Sequence, residues 1–170
     1  MRLALVTDAW LPQVNGVVRT LGHTVRELSS AGHDVTVISP ADFRTFPCPS
    51  YPEIRLAWRP FSGVARRLEE ISPDRIHIAT EGPLGLAARR FAMKRNIPFT
   101  TAYHTRFPEY VHARIGLPLS VTYRFLRWFH GAAEAVMVPT EVVRRDLVAN
   151  GFAASKVVLW RGHCSVHGRF

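Results

Sequence analysis

Apolar and polar positions alternate along the chain in a pattern that predicts strands and helices in turn. Short apolar runs are typical of buried strands, and apolar residues three or four positions apart are typical of helices. Strands are predicted at Arg2–Val6, Asp34–Ile38, Arg75–Ala79, Pro98–Ala102, Ala135–Val138 and Lys156–Leu159. Helices are predicted from Val18 to the stop at Gly32, over Val64–Ile71 and Pro83–Arg95, from Pro118 onward, and from the N-cap Thr140 to Gly151.

This alternation predicts an α/β fold in three layers, α/β/α, with a mostly parallel sheet covered on both faces. The Pro-rich stretch 40–60 is predicted as a loop-like region with one short strand at Ile54–Leu56. Ligands of such sheets bind beyond the carboxyl ends of the strands. Candidate chemistry is therefore expected in the segments after Val6, Ile38, Ala79, Ala102 and Val138.

Length and composition narrow the class of protein. The 170 residues suit one domain with a proper core, and the 47% hydrophobic content argues against disorder. No apolar run approaches the roughly 20 residues of a membrane-spanning helix, so the expected location is cytoplasmic. The 22 basic and 13 acidic residues leave a net charge of +9. This excess favours an anionic partner: membrane lipid, a phosphorylated ligand or nucleic acid.

Several common cofactor motifs are absent from the sequence. No G-x-G-x-x-G follows the first strand, and no G-x-x-x-x-G-K-[ST] phosphate loop or G-x-S-x-G elbow occurs. No Asp-x-Asp pair is present either, which weakens a metal-dependent nucleotide-sugar interpretation. No RNA- or DNA-binding signature accompanies the basic residues. We therefore expect no metal site and no nucleic-acid partner.

The first candidate site lies between the first strand and the first helix, in LVTDAWLPQVNGVVRT. Gly16 at a helix start would let the backbone approach an anion, and the N–H groups there favour phosphate. Asn15 and Gly16 are also typical of a turn with a helix N-cap, which is the more common role. The residues alone leave both interpretations open.

Further candidates follow other predicted strands. His104, in TAYHTRFPEY, could bind a ligand or move a proton near neutral pH, or serve as a structural hydrogen-bonding group. Arg106 could pair with a phosphate or with Glu109. Glu81, in TEGPLG, could face a ligand or only stabilise the N-terminus of the next helix. Thr140, in PTEVVRRDL, is predicted mainly as an N-cap.

The segment YRFLRWFH combines basic and aromatic residues on one predicted helix. Arg124 and Arg127 share a helical face with Tyr123 and Trp128 beside them, which suits contact with an anionic membrane or an acyl chain. A helix that packs on the core with a basic outer side explains the same pattern. The terminal HCSVH has too few ligands for a metal site, and residues 163–170 are expected to form a disordered tail.

The strand-end segments together resemble the N-terminal half of the family 4 retaining glycosyltransferases. The matching segments are, in order, TDAWLPQVNGVVRT, FPCPSYPEIRLA, TEGPLGLAARR, TAYHTRFPEY and VPTEVVRRDLVANGF. They cover nearly the whole chain to about Gly162. The segments FPCPSYPEIRLA and YHTRFPEY are most similar to lipid-glycosylating enzymes of the mannosyl and sulfoquinovosyl types.

The resemblance implies one half of a GT-B fold, a Rossmann-like acceptor-side domain over residues 1–162. It also implies that His104 contacts the transferred sugar near the reacting centre. Donor-binding roles are implied for Asn15, Gly16, Val17 and Thr140. Acceptor-binding roles are implied for Asp8, Glu81, Tyr103 and Arg106.

The reaction implied by the resemblance is transfer of a hexosyl group with retention and without a metal. GDP-mannose is the first candidate donor and a UDP-sugar the second. A lipid or glycan acceptor is expected, together with peripheral contact at the inner face of the cell membrane.

The sequence departs from the family pattern after Trp160-Arg-Gly162, and the resemblance implies that the family's C-terminal domain, with its E-x7-E-type donor motif, is not among these 170 residues. We therefore expect an acceptor half with little activity unless a separate donor-binding domain completes it. The alternative is a non-catalytic module from a truncated gene that binds anionic lipid or glycan. A nucleotide-sugar epimerase is disfavoured by the five ordered segments.

Overall fold

A computed structural model describes residues 1–48, 51–104 and 116–160, with the backbone alone at 51–53. The strands are β1 (Arg2–Val6), β2 (Asp34–Ile38), β3 (Thr45–Cys48), β4 (Tyr51–Ala57), β5 (Arg75–Ile78), β6 (Phe99–Ala102), β7 (Ala135–Val138) and β8 (Val157–Leu159). The helices are α1 (Gly16–Ser30), α2 (Pro60–Ile71), α3 (Pro83–Arg95), α4 (Leu119–Gly131) and α5 (Glu141–Ala149).

Six of the strands form one parallel sheet in the order β2-β1-β5-β6-β7-β8. The chain moves from β1 outward to β2, returns to β5 on the other side of β1, and then continues in one direction. The loops after β1 and β5 therefore diverge at a switch in strand order, which is where open α/β sheets bind ligands.

The two faces of β1 enter different parts of the core. Ala4 and Val6 pack in a cluster with Leu68 of α2, whereas Leu5 packs with Leu21 of α1. Successive side chains of a strand point to opposite faces, so helices cover both faces of the sheet. The predicted three-layer α/β/α fold with a parallel sheet is confirmed.

Most predicted boundaries agree with the structure, and two regions differ. Helix α2 begins at Pro60 rather than at the predicted Val64, because proline suits the first helical position, where no N–H is needed. The stretch 40–60, predicted as a loop with one short strand, instead contains the antiparallel hairpin β3–β4. Its prolines are tolerated because the outer edges of a two-stranded ribbon need no ladder N–H.

None of the helices in the described ranges has the length and apolar character that crossing a membrane requires.

Candidate active site

Polar residues that follow three neighbouring strands lie at the carboxyl edge of the sheet. Asp8 follows β1, Glu81 follows β5, and His104 follows β6. These strands are adjacent in the sheet, so side chains that are distant in sequence approach one another. The charge of Glu81 acts on both Asp8 and His104. The edge thus gathers two carboxyl groups and one imidazole.

The Asp8 carboxylate is held by the loop that follows β5. Its Oδ2 accepts a hydrogen bond from the Thr80 hydroxyl at 2.8 Å, and its Oδ1 accepts one from the Leu84 backbone N–H at 3.0 Å. The Thr80 Oγ1 accepts the Asp8 backbone N–H at 2.7 Å. Asp8 is buried, so both of its oxygens are fixed at the N-terminal turn of α3.

The two glycines of TEGPLG permit this close approach. A Cβ atom on Gly82 would lie 2.4 Å from Asp8 Oδ2, and one on Gly85 would lie 2.0 Å from the Thr80 backbone oxygen. No side chain fits at either distance. The glycines therefore let the loop after β5 close directly over the end of β1.

Burial raises the pKa of the Asp8 carboxyl to about 6. Hydrogen bonds from Leu84 N–H, the Thr80 hydroxyl and Gly85 N–H favour the charged form and offset part of this rise, while the nearby Glu81 charge adds to it. A carboxyl group that changes protonation this close to neutral pH is typical of functional sites.

His104 is a half-buried imidazole that packs against the Trp160 indole, with ring centroids 5.5 Å apart. Its Nε2 atom is buried and has no hydrogen-bond partner among the described residues. Burial lowers the pKa of His104, and the negative charge of Glu81 offsets part of that shift. The ring is therefore neutral at pH 7, with one nitrogen able to donate a hydrogen bond and the other able to accept one.

Glu81 contacts a residue that the sequence analysis did not select, His130 at the end of α4. The His130 Nε2 lies 3.3 Å from Glu81 Oε1, and the two side chains are 0% and 12% exposed. This contact is within ion-pair distance but outside hydrogen-bond geometry. On the other side of the ring, His130 Nδ1 is 2.8 Å from the Thr101 hydroxyl of β6. A buried histidine needs polar partners. The position of His130 on the apolar face of its helix was therefore the sequence signal that could have identified it.

His77 of β5 is a second buried histidine outside the predicted site. Its Nδ1 lies 2.8 Å from the Thr100 hydroxyl, and its ring is 5.5 Å from the Trp160 ring, centroid to centroid. Burial, together with the nearby His104, lowers the pKa of His77 to about 3. The ring is therefore neutral and enclosed behind Trp160.

The predicted donor-binding residues lie at the N-termini of two helices. Asn15 caps α1 by accepting the Val18 N–H at 3.0 Å, and Thr140 caps α5 by accepting the Val143 N–H at 3.2 Å. The capping interpretation of both side chains is thus confirmed. Gly16 is exposed at the first turn of α1, with no atom within 4 Å of the position of a Cβ. A role of this turn in binding the donor stays a prediction.

A groove of about 660 Å³ separates the loop 10–15 from the hairpin β3–β4. Leu11 and Val14 lie on the loop side and are 63% and 83% exposed. Ile54 and Arg55 line the opposite side. The groove thus leads from the first turn of α1 along a mostly apolar wall.

The other predicted residues that the structure describes lie directly after β6 and on α4. Tyr103 is buried, with its ring 6.3 Å from that of His130. On α4, Tyr123 is also buried in the core, so it is not part of the surface of that helix. Arg124 and Trp128 are exposed, and the Arg89 guanidinium covers the Trp128 ring at 4.0 Å.

Arg127 of α4 donates a hydrogen bond to the Asn150 carbonyl at 2.8 Å. Arg106 and the segment HCSVH lie outside the described residues. Within ranges 1–48, 51–104 and 116–160, no three His, Cys, Asp or Glu side chains are grouped so as to hold a metal ion.

The profile described as Glycosyltransferase Family 4 matches residues 14–162. The chain is 32% identical over 167 residues to the alpha-monoglucosyldiacylglycerol synthase of Streptococcus pneumoniae, covering 88% of this chain and 37% of that protein. It is 27% identical over 175 residues to the sulfoquinovosyl transferase of Arabidopsis thaliana, covering 94% and 34%. It is 24% identical over 170 residues to a GDP-mannose-dependent alpha-mannosyltransferase of Mycobacterium tuberculosis, covering 89% and 45%. The chain thus spans less than half the length of these relatives.

Solved structures share the fold at low sequence identity. Anabaena HepE, solved in complex with UDP-glucose, has a TM-score of 0.60 at 13% identity, covering 94% of this chain and 43% of that one. The UDP-GlcNAc 2-epimerase of Methanocaldococcus jannaschii, solved with UDP-GlcNAc and UDP, has a TM-score of 0.59 at 16% identity, covering 94% and 46%. These neighbours show one half of the GT-B architecture. Since the family profile matches most of its length, the chain belongs to glycosyltransferase family 4.

Proposed function

We propose that this chain is the acceptor-side half of a retaining glycosyltransferase that moves a hexosyl group from a nucleotide sugar to a lipid or glycan acceptor. Family membership and the glycosyltransferase relatives support hexosyl transfer. The observation that carries the site assignment is the convergence of Asp8, Glu81 and His104 at the carboxyl edge of the sheet, where α/β folds bind ligands.

Asp8 and Glu81 suit recognition of hydroxyl groups on the acceptor. Carboxylates accept hydrogen bonds from sugar or polyol hydroxyls, and charged acceptors make the stronger bonds. Asp8 is already oriented by its bonds to Thr80 and Leu84, so little side-chain entropy is lost on binding. Tyr103 and Arg106 complete the acceptor side by resemblance to the family.

His104 is assigned to the transferred sugar. A neutral imidazole hydrogen-bonds a sugar hydroxyl without adding a positive charge beside the reacting carbon. Its buried Nε2 has no partner among the described residues, and a buried polar atom of this kind gains most from a new hydrogen bond.

The first turn of α1 is assigned to the diphosphate of the donor. The space in front of Gly16 is open, and a helix N-terminus stabilises negative charge. In the proposed front-face step the anomeric C–O bond to the diphosphate breaks and the acceptor oxygen bonds to the same face of that carbon. The acceptor proton passes to the departing diphosphate oxygen. Stabilising the developing charge there lowers the barrier without a metal.

GDP-mannose is the first candidate donor and a UDP-sugar the second. The M. tuberculosis relative is named for GDP-mannose, and HepE was solved with UDP-glucose. For a lipid acceptor, the net charge of +9 and the exposed Arg124 and Trp128 of α4 would favour peripheral contact with an anionic cytoplasmic membrane surface. Binding to anionic vesicles that weakens with salt would support this contact.

A binding experiment on the chain itself tests the proposal. The ¹⁵N-labelled protein is titrated with glucosylglycerol as an acceptor probe, and separately with GDP-mannose and UDP-glucose. We expect amide shifts at Asp8, Glu81 and His104 with glucosylglycerol, and at Gly16 with the nucleotide sugars. Asp8→Asn should weaken glucosylglycerol binding by about tenfold, since one charged hydrogen bond is lost.

The control variant is Arg66→Ala, because Arg66 is exposed on α2 and should leave every titration unchanged. A folded protein that shows no shifts at the carboxyl edge with any probe overturns the site assignment. Shifts at the edge without transfer to glucosyl lipid vesicles in a radiolabelled assay, even after a separate donor-binding domain is added, would favour the non-catalytic binding module.

A further inference from the structure

We propose that His130 is a positioning residue, which holds the Glu81 carboxylate at the carboxyl edge of the sheet through a chain of contacts that begins at Thr101. The inference rests on the proposed function, because the position of Glu81 matters through its place beside Asp8 and His104. The chain of contacts itself stands on geometry and burial alone.

The chain of contacts from Thr101 to Glu81 begins in β6. Thr101 is completely buried, and its hydroxyl lies 2.8 Å from His130 Nδ1. Aromatic rings enclose the imidazole: Phe129 and Phe152 have centroids 5.1 Å and 5.9 Å from it. With Nδ1 held by the Thr101 hydroxyl and two aromatic rings packed against the imidazole, Nε2 is directed toward Glu81.

The contact with Glu81 determines where the proton of His130 resides. If Nε2 carried a lone pair, that pair would face the Glu81 oxygen at 3.3 Å and repel it. A proton on Nε2 turns the same contact into an attraction. The Thr101 hydroxyl then donates to Nδ1 of a neutral ring, or accepts from Nδ1 of a charged one.

The buried N–H also disfavours movement of Glu81 into solvent. If the carboxylate swung outward, His130 Nε2, which already lacks a hydrogen bond among the described residues, would also lose its 3.3 Å contact with Glu81, and an orphaned buried donor is costly. The present contact is bent rather than in line. A rotation about the last side-chain torsion of Glu81, which is broad and weakly restrained, would bring an oxygen into line when a ligand engages the other oxygen.

Nuclear magnetic resonance of the free protein tests the contact directly. In ¹⁵N-histidine spectra we expect His130 Nε2 to be protonated, and Glu81→Gln to shift that resonance more than Nδ1. The second readout is the titration of His104, whose pKa is lowered by burial and partly restored by the Glu81 charge. Glu81→Gln removes that charge and should therefore lower the midpoint further.

The variants of His130 separate positioning from packing. His130→Phe keeps the volume but releases Glu81, so the His104 midpoint should fall as it does in Glu81→Gln. His130→Gln places an amide N–H near the Nε2 position and should restore the wild-type midpoint. Phe125→Leu is the matched packing control on α4, because the Phe125 ring contacts Trp128 and Phe129, and it should leave the midpoint unchanged. Thr101→Val, which keeps the ring but removes its anchor, should give a smaller fall and covers the case in which His130→Phe does not fold.

Two outcomes overturn the inference. The first is a wild-type His104 midpoint in both His130→Phe and Thr101→Val. The second is an equal fall in Phe125→Leu, which would reduce the role of His130 to packing. Because both readouts use the free protein, their success combined with failure of glucosylglycerol to bind would overturn the proposed function alone. If glucosylglycerol binds the wild type, its affinity should fall about tenfold in His130→Phe and less than about threefold in His130→Gln.

Discussion

Two buried histidines contact consecutive threonines of one strand on opposite faces of the sheet. His77 Nδ1 lies 2.8 Å from the Thr100 hydroxyl, and His130 Nδ1 lies 2.8 Å from the Thr101 hydroxyl. The opposite directions follow from the alternation of side chains along β6. Up to this point the two pairs are equivalent in distance and in burial.

The difference between the pairs lies at Nε2. His130 Nε2 lies at ion-pair distance from the Glu81 carboxylate, whereas His77 Nε2 has neither an ion-pair nor a hydrogen-bond partner among the described residues, and its ring packs near Trp160. The first arrangement joins the core to the candidate site, and the second is enclosed. The same pair of imidazole and hydroxyl therefore either supports a charged side chain of the candidate site or only fills the core. The group that lies next to Nε2 decides between the two.

The largest expected effect is the loss of stability in acid that His77 causes. Its pKa is lowered to about 3 in the fold, so below pH 6.5 the unfolded chain takes up a proton that the folded chain does not. This lowers stability as pH falls from about 6.5 to 3. Relative to His77→Asn, the wild type should lose about 4 to 5 kcal/mol of unfolding free energy over that window.

Urea unfolding at a series of pH values, followed by circular dichroism, measures this difference. Thr100→Val is the matched control, because it removes the hydroxyl but leaves the imidazole able to titrate, so its profile should run parallel to the wild type. Parallel profiles for wild type and His77→Asn would contradict the enclosed, neutral state of His77.

The next effect has the opposite sign and comes from the carboxyl group of Asp8 in the candidate site. The pKa of Asp8 is raised to about 6, so between about pH 4 and 6 the folded chain holds a proton that the unfolded chain has released. Stability therefore falls as pH rises through this window, by about 3 kcal/mol relative to Asp8→Asn. Across the same window the slope from His77 has the opposite sign, so the contributions of Asp8 and His77 largely offset each other in the wild type.

The test compares the double variant, which carries Asp8→Asn and His77→Asn, with each single variant by the same urea unfolding measurement. Relative to the double variant, the stability of the two single variants should slope in opposite directions between about pH 4 and 6. Slopes of the same sign in the two single variants would contradict this assignment.

The smallest effect distinguishes the two threonines themselves. Thr100→Val and Thr101→Val each remove one buried hydrogen bond, so each should cost about 1 kcal/mol of stability. Only Thr101→Val should also weaken glucosylglycerol binding, by about threefold, because only that pair leads to Glu81. Calorimetric titration checks the affinity, and an equal loss in Thr100→Val would remove the distinction between the two faces.

Sequence reasoning predicted the parts of the fold that depend on local patterns. Continuous apolar runs identified β1 and β2 with the bounds observed, and Pro83 located the start of α3. Asn15 was predictable as a cap because an N-cap uses a side chain only a few residues from its backbone donor. The hairpin β3–β4 was missed, since its prolines argue against strands unless the ribbon is known to have free edges.

The candidate site was predictable as a location rather than as a set of contacts. Asp8, Glu81 and His104 were all found by one rule, that ligands bind where parallel strands end. His130 was missed because it lies at the end of a helix, far from any strand end, and its partner comes from a distant loop. Helical periodicity gives a face of a helix, but not the polar atom that this face meets.

Strand β6 has no reactive group of its own, yet its length is closely constrained. Because Thr100 and Thr101 are consecutive, a one-residue insertion or deletion before them would exchange the faces to which they point. Both histidines would lose their hydroxyl partners at once, and the support of Glu81 would be lost with them. Natural or engineered changes of chain length should therefore be tolerated between the elements of this domain far better than within these four residues.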